Sequence, residues 1–432
     1  MKKKVVLDLT RLSNRKSHAT PTGIDRVEFA YLKHFLECDL VDLTFVVARG
    51  ASIRFYSRKF GEKIADFITD AWSSEEKKDE RVSEAFQKVV GFLEGEPVTA
   101  LGAHGKSFLE RSSWLNEIRN EFCLLLSDRI GPVNDGVYIN VGHTNLHSNA
   151  LTEWLKQAGI VSCMMVYDLI PIDFPEYNMP GQDLIHEKRM RCVSEYATHV
   201  IAISCYTQEC IESFFRKNGL RVPETSVIWI GLEEAISLAT TDDKYSYLDS
   251  SSSYFVILGT LEPRKNHLLI LNLWRSLCEE FGTAAPKLVV VGRRGWENGS
   301  IIAMLDRCRQ IEDVVIEAPG LSDQEVSGLL KHCCGVLVPS FVEGFSYPVV
   351  EAIAKGVPVL ASDIAVHKEV SAGRATLLDP LDGRAWKMEV LALWKNKEEN
   401  RIAASVVTPH PFLDERMKWF RHFEEVQRIL EL

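Results

Sequence analysis

Short apolar runs alternate with amphipathic stretches along most of this chain, and the alternation occurs in two separate series. The first predicts strands at Val5–Leu9, Leu43–Val47, Val137–Val141, Ile160–Tyr167, His199–Ser204 and Val227–Ile230. Runs that are apolar throughout, without polar alternation, suit a parallel sheet buried on both faces. Helical periodicity fills the intervals. Gly23 opens GIDRVEFAYLKHFL, with Ile24, Val27, Phe29–Leu32 and Phe35–Leu36 on its apolar side, and further helices follow at 147–157, 182–196 and up to Phe215. The second series predicts strands at Tyr254–Leu258, Lys287–Val291, Val314–Glu317, Val336–Pro339, Val357–Ala361 and Thr376–Leu378. Helices lie between them at 267–280, 300–308 and 323–332, and the series closes with a helix at 383–394.

Three stretches break the pattern. From about Ser52 to Arg129 the strands disappear and amphipathic, charged segments such as FGEKIADFITDAW and RVSEAFQKVVGFL take over. This predicts a helical insertion covering one edge of the first sheet. Residues 235–253 are polar and serine-rich, as an inter-domain linker is. The C-terminal tail places Trp419, Phe420, Phe423, Val426 and Leu430 on one side of a final helix. The class is therefore α/β, with two doubly wound, Rossmann-like domains at 1–235 and 254–405. The tail, 406–432, holds that final helix.

Composition narrows the function. At 432 residues, 46% hydrophobic and 25% charged, the chain is an ordinary globular protein long enough for two cores. A net charge of −10 does not favour a nucleic-acid partner. Ten cysteines without a C-x-x-C pair read as reduced thiols rather than a disulfide framework or zinc site. The apolar run of MKKKVVLDLT breaks at Asp8, so it reads as a first strand and not a signal peptide. No run reaches membrane-spanning length. A cytoplasmic location is expected.

Chemistry concentrates where strands meet helices. Between Leu258 and His267 lies G-T-L-E-P-R-K-N, which sets Arg264 and Lys265 between a strand end and a helix start, beside free backbone N–H groups. Read alone, such a pair is a solvated basic cap. The segment 336–363 sets Glu343 on a loop and Glu351 in the helix after it, with Pro348 suited to that helix's first turn. Read alone, these are a solvated loop acid and a helix-start acid. Gly23 is either a helix-start glycine or a close approach to a ligand. Tyr167-Asp168 closes a buried strand, and His143, in VGHTN, ends the preceding one. A lone histidine is more often structural than catalytic. The first strand–glycine–helix turn is not G-x-G-x-x-G, so a dinucleotide cofactor is poorly supported, and no Asp-x-Asp triplet asks for a metal.

The run E-G-F-S-Y-P-V-V-E-A-I-A-x-G-V-P-V, with E-P-R-K upstream, resembles the signature of the family 4 retaining glycosyltransferases, most of all bacterial polysaccharide mannosyltransferases. The resemblance is closest over 254–380 and faintest over 1–50. It implies the GT-B fold, two domains facing each other across a cleft, with the last helix, within 406–432, crossing back to the first domain. It also implies transfer of a sugar, mannose from GDP-mannose in the leading reading, from a nucleoside-diphosphate donor to a saccharide or lipid-linked saccharide. The setting would be surface polysaccharide synthesis (O-antigen, capsule or exopolysaccharide) at the inner face of the membrane, which leaves room for peripheral membrane association. Glu343, Asp168 and Lys265 would be the catalytic set. Arg264 and Lys265 would hold the diphosphate and Thr260 would add a hydroxyl, while Gly23 would approach the donor from the first domain. Gly320 and Leu321 would lie near the base, Glu351 would hold the ribose, and Glu343 with the Gly344 and Phe345 backbone would orient the sugar. No cofactor or metal is implied beyond the nucleotide-sugar co-substrate. Two departures stand out: Tyr167 replaces the family's usual histidine, and Thr260 a common basic residue. A nucleotide-sugar epimerase and a non-catalytic nucleotide-sugar-binding subunit are the alternatives.

Overall fold

The computed structural model describes residues 2–15, 21–76, 83–96, 128–157, 159–232, 253–399 and 418–432, together with Tyr245 and Leu248. Fourteen strands fall into two sheets among these residues. In chain order they are β1 (Lys3–Asp8), β2 (Val41–Arg49), β3 (Ser52–Tyr56), β4 (Arg129–Ile130), β5 (Asp135–Asn140), β6 (Gly159–Val166), β7 (His199–Ala202) and β8 (Glu224–Val227) in the first sheet. The second sheet holds β9 (Tyr254–Leu258), β10 (Lys287–Val291), β11 (Val315–Glu317), β12 (Gly335–Val338), β13 (Val359–Ser362) and β14 (Thr376–Leu378).

The first sheet has the order β4-β3-β2-β1-β5-β6-β7-β8, parallel except for β3 and β4. The second is all parallel, β11-β10-β9-β12-β13-β14. Each sheet reverses its winding once, between β1 and β5 and between β9 and β12. At such a switch point the loops leaving adjacent strands part to opposite faces, and the crevice between them is where open α/β sheets bind ligands.

Several elements depart from the sequence expectation. The insertion does not begin as a helix. Ser-Ile-Arg-Phe-Tyr turns back on β2 through the two residues Gly50 and Ala51, Gly50 having a positive φ of 56°. Its β-branched and aromatic residues suit that edge, and Arg129–Ile130 adds another antiparallel strand outside it. The helix Arg58–Glu76 packs on the first sheet through Phe60, which stacks on Tyr56 at 4.1 Å. The helix Glu84–Glu94 goes elsewhere. The Ser83 N–H donates to Glu325 at 2.8 Å, the Lys287 ammonium reaches the Phe92 carbonyl, and Phe86 meets the ring of Tyr245. The insertion therefore straps the second domain as well as covering the first. Residues 97–127 of the expected helical insertion lie outside the described residues.

Between β1 and the helix opened by Gly23, Thr10–Arg15 forms a short helix, which the Asp8 carboxylate starts by accepting the Thr10 N–H at 2.8 Å. The last strand of the first sheet is Glu224–Val227 rather than Val227–Ile230. Ile228, Trp229 and Ile230 are buried beyond the sheet, Trp229 against Phe345. Within the polar linker, Tyr245 and Leu248 are buried; its other residues up to 252 lie outside the described residues.

The helix Trp419–Leu430 packs on the first-domain helix Gly23–Glu37. His422 bonds Tyr31, Phe423 stacks on His34 at 3.8 Å, and the Lys3 ammonium donates to the Leu430 carbonyl. One apolar cluster runs from the first sheet through Trp229, Leu232 and Phe345 into the second, so the two domains share buried surface.

Candidate functional site

The second switch point is built by the ends of β9 and β12. Gly259 leaves β9 with φ 135°, a conformation open to glycine. The backbone then approaches β10 so closely that a Cβ on Gly292 would lie 1.9 Å from the Gly259 carbonyl oxygen. Thr260 packs its methyl toward Gly295. Pro263–Lys265 makes one 3-10 turn, and Asn266, at φ 54°, starts the helix His267–Phe281. The Phe341 N–H donates to the Arg264 carbonyl at 2.8 Å, joining the two strand-end loops.

Arg264, Lys265 and Glu343 meet there. Glu343, only 4% exposed, accepts from Arg264 and Lys265, each at 2.5 Å, and from the Ser340 hydroxyl at 2.7 Å. Glu262, also buried, pairs with Arg264 at 2.7 Å. Two cations thus face two carboxylates, and that balance lets four charges persist away from water. Burial acts to raise the Glu343 carboxyl, but Arg264 and Lys265 outweigh it and hold the group below the usual carboxylate range. Burial presses the Lys265 ammonium down against the pull of Glu343, and pushes Glu262 up against Arg264. Under this cluster His367 is bonded to the Ser362 carbonyl and the Ser346 hydroxyl, bracing Ser346 at φ 73° just before the helix Tyr347–Ala354.

The first domain closes over this cluster. The Gly344 carbonyl accepts from Ser204 at 2.7 Å and Thr207 at 3.3 Å. Trp296 donates to the Tyr177 carbonyl at 2.9 Å, and Tyr177 stacks on Phe341. Glu369 reaches over to accept the Cys205 N–H, at the start of the helix Cys205–Lys217, and the Trp229 indole N–H. Asp168 caps the Ile170 N–H at 3.1 Å, and its charge reaches Arg264 across the gap. A Cβ on Gly23 would lie 3.8 Å from the Tyr347 ring, so the first helix also opens onto the second domain.

The structure therefore brings together Arg264, Lys265, Glu343, Gly344 and Asp168, with Thr260 beside them and Gly23 facing Tyr347. Phe345 is buried against Trp229 and Tyr347, so its ring is structural and only its backbone is available to a ligand. Glu351 stands one turn before Lys355, whose charge it faces. Gly320, at φ 77°, and Leu321 follow β11. The Tyr167 hydroxyl donates to the Val141 carbonyl at 2.7 Å, and its ring meets His143 edge-on, so the tyrosine in the histidine's place is a buried brace. Sequence reasoning missed Glu262 and Ser340. Glu262 sits inside E-P-R-K, and an acid two residues before an arginine was the available signal. Among the described residues, no group of three or more His, Cys, Asp or Glu side chains is placed to hold a metal, and no helix is long and apolar enough to cross a membrane.

Residues 240–404 match the family model described as Glycosyl transferases group 1. The chain is 26% identical over 227 residues to the serotype-specific mannosyltransferase WbdA of Escherichia coli, spanning 50% of this chain and 28% of that protein. It is 25% identical over 243 residues to O-antigen chain mannosyltransferase B of Escherichia coli, spanning 55% and 62%. Among solved structures, Anabaena Alr3699/HepE in complex with UDP and glucose superposes with a TM-score of 0.62 at 14% identity, over 99% of both chains. Sucrose-phosphate synthase from Thermosynechococcus elongatus superposes with a TM-score of 0.58 at 13% identity, over 100% of this chain and 98% of the other. The fold they share with this chain is GT-B.

Proposed function

We propose, from the match of residues 240–404 to the model of glycosyl transferases group 1, that the protein transfers a sugar, with retention, from a nucleoside-diphosphate donor to a saccharide hydroxyl. Mannose from GDP-mannose is the donor we favour, since the curated relatives named above are mannosyltransferases. The acceptor is a growing surface polysaccharide, free or lipid-linked, met at the cytoplasmic face of the membrane.

The observation that carries this reading is the Arg264–Lys265–Glu343 cluster at the second switch point, with Asp168 held across the gap. In the reaction the bond between the sugar's anomeric carbon and the diphosphate oxygen breaks, and the electron pair leaves on that oxygen. Arg264 and Lys265 stabilise the growing charge from fixed positions, without a metal. The acceptor hydroxyl attacks the same face and passes its proton to the departing phosphate. Glu343, held ionised, accepts hydrogen bonds from the donor sugar's hydroxyls and keeps the two cations aligned. Glu351 would take the ribose hydroxyls, and the backbone after β11 at Gly320 and Leu321 the base.

The test is nucleoside-diphosphate release from a panel of GDP-, UDP- and dTDP-sugars, in the presence of oligosaccharide acceptors. Release from GDP-mannose that Lys265→Ala and Glu343→Ala abolish supports the proposal. Conversion of donor to an isomer without release would replace it with an epimerase, and unchanged transfer in both variants would overturn the site.

A further inference from the structure

At the other switch point, between β1 and β5, basic side chains gather that the donor side does not use. Arg11 follows β1, His143 follows β5, and His186 and Arg189 lie on the helix Gln182–Tyr196 that follows β6. The rings of His143 and His186 are 5.6 Å apart, and His186 bonds the Asp168 carbonyl at 3.0 Å. The charge of Arg189 reaches His143, His147 and His186, and Arg11 acts on both Arg189 and His143.

These groups are not mutually satisfied. Arg11 is committed to Asp25 at 2.7 Å and the Thr22 hydroxyl at 3.0 Å. Glu28 is enclosed, with one oxygen on the Leu12 N–H and the other without a partner, and burial drives its carboxyl toward the neutral form. Arg189 has no acid partner among the described residues, and its buried Nε donates to nothing there. His143 is 7% exposed and sits at φ 57°; its ring is bonded to the Met165 backbone, and its Nε2 has no partner. Two orphaned buried nitrogens on different elements at one crevice are a costly arrangement if the protein alone must satisfy them.

A guanidinium without an acid is suited to phosphoryl oxygens, which its planar fork grips two at a time. A phosphate ester has oxygens enough to serve Arg189 and the free edge of Arg11 together, while His143, kept neutral by burial with its N–H on the Met165 backbone, offers Nε2 as an acceptor to a hydroxyl of the same ligand. We infer that the crevice between β1 and β5 is a phosphoryl-binding subsite for the acceptor, built on Arg189 with Arg11 and His143. The acceptor end that enters the cleft then carries a phosphate ester near the hydroxyl to be glycosylated. The inference rests on the transferase reading for its biological meaning, but not for its chemistry.

The test is binding of mannose 1-phosphate to the full chain by calorimetry, with and without saturating GDP, compared in wild type, Arg189→Gln, Arg189→Lys and Lys265→Ala. With GDP filling the donor side, we expect wild type to bind mannose 1-phosphate but not methyl mannoside. Arg189→Gln should weaken this at least tenfold and Arg189→Lys should partly restore it, with GDP binding within twofold of wild type in both Arg189 variants, whereas Lys265→Ala should weaken GDP binding. Loss in Lys265→Ala alone, equal binding in Arg189→Gln, or no binding by wild type overturns the subsite. If Arg189-dependent binding persists while no nucleoside diphosphate binds, the subsite stands and the transferase reading fails. A second arm uses phosphatidylcholine vesicles with and without undecaprenyl phosphate. Arg189-dependent capture only by the doped vesicles assigns the phosphate to a lipid carrier, and binding only of the soluble ester assigns it to a sugar phosphate.

Discussion

Gly344 in the second domain lies against the Tyr167 carbonyl in the first, so closely that a Cβ would sit 2.2 Å from that oxygen and 3.2 Å from the Asp168 Cβ. The requirement here is space rather than backbone freedom, and it comes from the other domain. The Gly344 carbonyl also receives Ser204 and Thr207. The loop that carries Glu343 is therefore held in place by the wall that carries Asp168.

Gly344→Ala should keep the domains from closing fully while leaving each folded. A displacement near 1 Å at the reacting groups costs on the order of 10²-fold in rate. We expect such a fall in kcat/KM for transfer with little change in Tm, and small-angle scattering should report a more open particle. Full activity with an unchanged particle would show that closure does not depend on this contact.

Glu343 links stability to the same cluster. Its removal by Glu343→Ala leaves two largely buried cations with only Glu262, a loss of about 3–5 kcal/mol by analogy with other broken buried pairs. Because the folded carboxyl lies below its unfolded value, its contribution is full above the ordinary glutamate range and shrinks as pH falls through that range toward the folded value. Urea titrations at several pH values should show the gap between wild type and Glu343→Gln narrowing as pH drops. A gap that widens in acid would contradict the ion-pair geometry.

His422 anchors the last helix to the first domain. Its Nδ1–H donates to the Trp229 carbonyl at 2.8 Å, so Nε2 accepts from the Tyr31 hydroxyl at 2.7 Å. Burial lowers this ring to about 4, whereas an unfolded histidine titrates near 6.5. Between these values the unfolded chain takes up a proton that the folded one refuses. Stability is therefore full above about pH 6.5 and falls by about 3 kcal/mol as the pH drops toward 4. His422→Gln should flatten that limb, as read by Trp fluorescence and by proteolysis of the C-terminal helix.

Phe86 tests the strap. It is fully buried, and its ring meets Tyr245 at 5.2 Å. Phe86→Ala should cost about 3–5 kcal/mol. It should also raise hydrogen exchange in both Glu84–Glu94 and Asp323–His332, since Ser83 and Glu325 bridge them. Exchange that rises only in the first helix would mean that the strap does not restrain the second domain.

Much of this molecule is legible in its sequence because parallel strands buried on both faces read as unbroken apolar runs. The runs at 254–258, 287–291 and 376–378 coincide with β9, β10 and β14. Arg264, Lys265 and Glu343 were legible as separate motifs at strand ends. Their direct contact was not, because it joins residues 78 and 79 positions apart. The edge strands β3 and β4 were missed because their mixed polar composition resembles the amphipathic helices beside them.

By itself, then, the sequence determined two wound domains and the residue types at their strand ends, since local periodicity and turn chemistry depend only on near neighbours. The tertiary structure alone decided which charges neutralise one another, and that a helix within the first domain's sequence straps the second. It also left Arg189 Nε and His143 Nε2 without partners among the described residues at the first switch point. Those outcomes depend on burial and on distances between residues far apart in the chain, which no local pattern encodes.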